Sequence, residues 1–194
     1  MKRPCLLLSL ALVLALLLGC SAARAEDLTN YYLDEFGVSI PMPVDYAVIT
    51  RDTQPDDPLF ADIDISYDAA TYYMEAAGVY LDALNGDREI YVGLSEAMLD
   101  FADYPDEQLQ MVIDGISQSA GNTLTKSEIY RVGDLPYILL WKTFDNGQHT
   151  IDCYTMHGGV YIGFAFSTKA DSLSDADSAL VMSIADGIVF DCDK

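Results

Sequence analysis

"PYILLWKTFDNGQHTIDCYTMHGGVYIGFAFS" occupies residues 136–167 and decides the fold. Three β-rich runs are broken by Asn146-Gly147 and Gly158-Gly159, dipeptides that close tight hairpins. A fourth run, "SEIYRV" at 127–132, precedes them across Gly133-Asp134. The stretch reads as a four-stranded antiparallel meander. With two-residue loops at the last two turns, Phe144 faces His149 and Leu140 faces Cys153. Cys153 then faces Phe164 on its other side. One face of this sheet holds Ile138, Leu140, Phe144, Ile151, Cys153, Ile162, Phe164 and Phe166, nearly all apolar, as a correct register should make it. The other face carries Leu139, Trp141, Tyr154, Tyr161 and Ala165. A sheet so covered on both faces requires helices on both sides.

Working outward, "YYLDEFGVSIPMP" (31–43) reads as strand, turn and strand, with Pro41 and Pro43 placing its end at an edge or in a loop. "RDTQPDDP" (51–58) is a loop, and "FADIDISYD" (60–68) alternates like a short strand or extended lead-in. Asp68 to Ala77 reads as a helix with Asp68 as N-cap, Gly78 at C′, and Ala69, Tyr73, Ala76 and Ala77 sharing a face. Asn85-Gly86 predicts a hairpin between strands near 79–84 and 88–95. Residues 104–122 form a helix opened by Pro105, with Leu109, Val112, Ile113, Ile116 and Ala120 inward. Ser174 caps a last helix whose Leu180, Val181 and Ile184 face the core, and "VFDCD" closes the chain. Hairpins alternating with helices make an α+β domain with a mostly antiparallel sheet flanked by helices on both faces.

The first residues address the chain rather than fold it. Lys2 and Arg3 precede an apolar run of about fourteen residues, too short for a membrane span of about 20. Leu17-Leu18-Gly19-Cys20 resembles the lipobox of bacterial lipoproteins. That resemblance implies cleavage before Cys20 and acylation of its sulfur with palmitate-type chains. Ala23-Arg24-Ala25 offers the competing ordinary cleavage site and a secreted product. The expected organisation is a signal peptide at 1–19, a lipidated Cys20 and tether at 20–29, and one α+β domain at 30–194. By either route Cys153 and Cys192 remain, an even pair in an oxidising compartment, so one disulfide is expected. The register strains that expectation, because both neighbours of the strand bearing Cys153 are occupied. Either the tail crosses that face, or the register slips by one, or both thiols are free.

Charge is the loudest compositional feature. The chain has 31 Asp+Glu against 10 Lys+Arg, net −21. Lys2 and Arg3 leave with the leader, so the remainder is more acidic still. Such a surface repels nucleic acid and anionic headgroups and attracts cations. His149 and His157, about 26 Å apart if they share one strand, cannot hold one metal ion. No G-x-S-x-G elbow occurs. Asp62, Asp64 and Asp68 are calcium candidates, although they do not match the D-x-[DN]-x-[DN]-G loop. Thirteen tyrosines beside so many acids suit glycans or cationic peptides, and equally suit half-buried strand positions.

"FGVSIPMPVDY" and the closing meander, helix and tail together resemble the PsbP-like fold, an antiparallel sheet between helices. They also resemble small surface lipoproteins of uncharacterised function from Gram-positive bacteria. The resemblance carries no catalytic motif. It implies a non-enzymatic accessory or binding role for a lipoprotein anchored outside the cytoplasm, with an unknown protein or small ligand as partner. The alternatives are an acid-rich, calcium-dependent extracytoplasmic enzyme and a structural component of an envelope complex.

Overall fold

The computed structural model describes residues 27–116 and 122–191. Cys20, Ala120 and Cys192 lie outside the described residues. The meander forms as β6 (Asn122–Val132), β7 (Leu135–Phe144), β8 (His149–His157) and β9 (Val160–Thr168). Its last turn is the two-residue Gly158-Gly159 loop, with both glycines at positive φ and Cys153 opposite Phe164. Its middle turn differs from expectation. Phe144 N–H donates to the Gln148 carbonyl at 2.8 Å, so Asp145, Asn146 and Gly147 form a three-residue loop. Gly147, at φ 81°, takes the left-handed position that such a loop needs. The register therefore slips by one, and Leu139, not Leu140, faces Cys153.

A slip of one residue turns every side chain of a strand to the other face. Leu139 and Trp141 thus join Ile151, Cys153, Phe164 and Phe166 in the main buried cluster, while Ile138 and Leu140 belong to another. Each buried leucine here contributes about 1.5–3 kcal/mol.

The meander is extended beyond β9 by β5 (Arg88–Glu96), β4 (Val79–Asn85) and β3 (Ala47–Thr50). The result is a seven-stranded sheet of order β3-β4-β5-β9-β8-β7-β6, antiparallel throughout. The predicted β4–β5 hairpin is present, turning on Gly86 and Asp87. The first hairpin, β1 (Leu28–Leu33) and β2 (Val38–Pro43), stands apart from it. With β10 (Val189–Phe190) it makes a three-stranded sheet of order β1-β2-β10. Among the described residues β10 pairs only with Val38 and Ser39, which leaves Pro41 and Pro43 beyond that pairing, where a missing N–H costs nothing.

Residues 60–68 are not a strand. Leu59–Asp62 is a short helix, α1, whose first N–H is taken by Asp57 Oδ1 at 2.9 Å. Next comes α2 (Tyr67–Ala77), and its N-cap is Ser66 rather than Asp68; Ser66 Oγ accepts from Ala69 N–H. Its buried residues are Ala70 and Met74, not the alanine face expected. They pack with Ile49, Phe60 and Val79. α3 (Asp106–Ile116) buries Leu109 and Ile113 against Phe101, Ile138 and Leu140. Ser174 and Asp177 form a reciprocal capping box at the start of α4 (Asp175–Gly187). Leu180, Val181 and Ile184 of α4 enter the main cluster beside Leu139 and beside Ile40 and Met42 of β2.

Two glycine substitutions test this account. Gly147→Ala forces a side chain into the left-handed region and should cost about 1–2 kcal/mol. Gly115→Ala, on exposed α3 with open space around its Cβ, should stabilise by about 0.5–1 kcal/mol. Urea unfolding of each variant against the parent measures both.

Candidate functional site

The corrected register brings charge onto one face of the seven-stranded sheet. Asp82, Tyr91, Ala165 and Asp152 follow one another across β4, β5, β9 and β8 in a single cross-strand row. Glu89, Ser167, Thr150 and Lys142 form the parallel row beside it. Gly163 and Tyr154 lie opposite one another on the far side of the first row. This polar strip runs between two apolar clusters, one built on α2 and one on α3. Tyr161, Gly163 and Ala165, the small and aromatic residues of β9 on this face, belong to neither cluster.

Asp152 anchors the strip. It is only 7% exposed, and Lys142 Nζ reaches its Oδ2 at 2.5 Å. Tyr154 donates its hydroxyl to the same oxygen at 2.7 Å. Both donors fall on Oδ2, so among the described residues Asp152 Oδ1 is buried without a hydrogen-bond partner. Asp82, 6% exposed, is likewise buried, and its Oδ1 also lacks a donor. Thr150 Oγ1 is a third oxygen of the strip that is buried with no partner among the described residues. Groups of this kind cost free energy when left unpaired, and each calls for an explanation.

The electrostatics follow from that burial. Desolvation, with Glu89 nearby, pushes the Asp82 carboxyl up to about 7. Burial raises Glu89 too, against the opposing pull of its Tyr73 hydrogen bond and of Lys169. Burial and the Asp152 charge push Tyr91 and Tyr161 each up to about 12. Tyr154 is raised further by burial, by the Asp152 charge and by its own hydrogen bond.

Tyr161 closes the strip. An ideal Cβ at Gly163 would lie 2.5 Å from the Tyr161 hydroxyl, so only glycine lets that ring fold back across the floor. The ring stacks on Tyr154 with centroids 6.2 Å apart. Among the described residues its hydroxyl makes no hydrogen bond.

The residues singled out from sequence fall elsewhere. Asp62, Asp64 and Asp68 are exposed: Asp62 in α1, Asp64 at φ 55°, Asp68 in the first turn of α2. Among the described residues no group of three His, Cys, Asp or Glu is placed to hold a metal ion. Cys153 is fully buried in the main cluster and has no disulfide partner among the described residues; its expected partner Cys192 lies outside them. His149 and His157 stand at opposite ends of β8. His149 Nδ1 is 3.0 Å from Thr143 Oγ1, and His157 Nδ1 is 2.8 Å from Asp100 Oδ2. A separate small cavity of about 110 Å³ lies between β3 and α2, with Ile49, Phe60 and Met74 at its apolar wall and Arg51 and Glu75 at its rim.

Asp82, Lys142 and Asp152 were not distinguished by any motif. Their signal was local: Asp82 and Lys142 are charges beside apolar runs of their strands, and Asp152 sits between Ile151 and Cys153. Sequence alone could not show that the three share a face.

No protein-family profile and no curated protein sequence matches the chain. Among solved structures it is similar to cyanobacterial PsbP (CyanoP) from Synechocystis sp. PCC 6803. That match has 16% identity over 89% of this chain and 97% of the other, at a TM-score of 0.49. It is also similar to the apo immunity protein TplEi of T6SS from Pseudomonas aeruginosa, with 10% identity over 87% and 99% of the two chains, at 0.47.

The pH dependence of stability reports on Asp82. A carboxyl whose pKa rises on folding favours the folded chain below its unfolded value, and that advantage disappears as pH climbs to about 7. Asp82→Asn removes the titration. The variant should match the parent near pH 4 and exceed it near pH 8 by up to roughly 4 kcal/mol. Urea unfolding at both values tests the sign; a constant difference across the range would contradict it.

Proposed function

We propose that this chain is an extracytoplasmic lipoprotein, anchored through Cys20, whose domain is a non-enzymatic binding module with an α/β/α arrangement of the PsbP-like kind. The binding site is the polar strip across β4, β5, β9 and β8. The observation that carries this reading is the pair of buried carboxylates, each with one oxygen lacking a donor, on a floor of tyrosine, alanine and glycine. A buried carboxylate oxygen without a hydrogen-bond partner also occurs at the structural cap Asp177, but in the strip two of them fall in one cross-strand row, where a single ligand can meet both. A ligand that donates hydrogen bonds to them recovers the free energy that burial costs.

The lipobox, Leu17 to Cys20, and the short polar tether after it support the anchor. They would hold the module close to the outer surface of the membrane. The large negative charge keeps its surface clear of anionic headgroups.

Two experiments test the two halves. Cys20→Ser should abolish incorporation of a labelled fatty acid and shift the protein from the membrane fraction; unchanged labelling would refute the anchor. For the module, thermal melts are run against a panel of amines, amino acids, sugars and dicarboxylates. At least one class should raise Tm in the parent and lose that effect in Asp82→Asn. No shift from any class, or shifts that survive the substitution, would remove the strip as a binding site.

A further inference from the structure

The geometry points to a linear di- or polyamine as the ligand of the strip, an inference that rests on the binding role proposed above. The free groups are all oxygens. Asp82 Oδ1, Asp152 Oδ1 and Thr150 Oγ1 are buried without partners, and the first two can only accept when ionised. Thr150 can donate as well as accept, and Asp82 holds its proton up to about pH 7, so it is above that pH that the strip calls for a ligand bringing donors and positive charge. A single metal ion does not fit. Asp82 and Asp152 lie three strand spacings apart, about 14 Å, far beyond any shared coordination shell.

The pattern of occupied and empty oxygens selects among organic donors. Lys142 and Tyr154 both bind Asp152 Oδ2, so that carboxylate has one oxygen left. A guanidinium makes its best contact through two parallel bonds to both oxygens, and that face is taken. An ammonium is a compact charge with three donors and is satisfied by one oxygen. A neutral sugar could also donate, but the row holds more acid than base. Asp82 and Glu89 face the ligand along with Asp152, against Lys142, which is already bonded to Asp152, and Lys169 near Glu89.

The span between the carboxylates sets the ligand's shape. Tyr91 and Ala165 separate Asp82 from Asp152. Neither side chain offers charge, and an aromatic ring beside a methyl suits methylenes and the edge of an ammonium. An extended alkyl chain with an amine at each end meets acid, apolar floor and acid in that order. Tyr161 now lies over Gly163, held by stacking and by no hydrogen bond among the described residues, so it can turn aside as the chain enters.

Calorimetry with spermidine tests the inference, with butylamine, methyl glucoside and calcium chloride as comparison arms. Spermidine should bind one to one, and about ten-fold or more tightly than butylamine. Asp82→Asn and Asp152→Asn should each weaken it by about ten-fold or more. Asp175→Asn, an exposed acid on α4, should leave it unchanged. In the unmodified protein, spermidine should shift the backbone amide resonances of Tyr91, Gly163 and Ala165, which needs no variant to fold. Several weak sites, or equal loss in Asp175→Asn, would show attraction to overall charge and overturn the proposal. So would equal affinity for butylamine, or binding of the glucoside without spermidine. If the ligand panel above yields a sugar or amino acid acting through Asp82 while spermidine does nothing, the strip remains a site and only the amine is wrong.

Discussion

The structure depends on the turn at Asp145, Asn146 and Gly147. A loop of three residues rather than two sets the pairing of β7 with β8, and the parity of β7 follows from it. With this parity Leu139 and Trp141 sit beneath α4, and Lys142 lies on the same face as Asp152. A two-residue loop would bury Ile138 and Leu140 there instead. It would also turn Lys142 into the main apolar cluster, where an unpaired ammonium is prohibitively costly. One glycine at positive φ therefore decides both the composition of the core and the existence of the charged strip.

The sheet divides its labour between its faces. Toward α4 and the small sheet, β9 presents Ile162, Phe164 and Phe166, all buried. Its alternate residues Tyr161, Gly163 and Ala165 belong to neither the α2 cluster nor the α3 cluster. The carboxylates lie in the cross-strand row that joins these two clusters, with Tyr91 packed against the α2 cluster and Tyr154 against the α3 cluster. The fold tolerates them because Lys142 and Tyr154 hold one oxygen of Asp152, and because Asp82 lowers its cost by keeping its proton up to about pH 7.

The acidity of the chain has two different sources. Most acids are exposed and separated, as Asp62, Asp64 and Asp68 are, and they act as a diffuse field that draws cations. Asp82 and Asp152 are a local arrangement within it. The field raises the concentration of cations near the surface, and the buried pair supplies the geometry that tells one cation from another.

Much of this architecture was legible in the chain itself. The meander, the β4–β5 hairpin, the helices capped at Ser174 and opened near Pro105, and the Gly158-Gly159 turn follow from local rules of turn chemistry and periodicity. Leu180, Val181 and Ile184 were placed inward by helical spacing alone. What local rules could not supply was non-local. Asn146-Gly147 fits two loop lengths, and only packing of Leu139 and Trp141 under α4 chooses between them. Alternation at 60–68 resembles a strand until Phe60 is seen buried against Ala70 and Met74. The charged strip was invisible for the same reason. Asp82 and Asp152 are 70 residues apart in the chain and meet in one row only through three strand pairings. Sequence determined the elements, because turns and caps act over a few residues; tertiary structure decided their parity and their shared face, because those are set by contacts that close only when the sheet is complete.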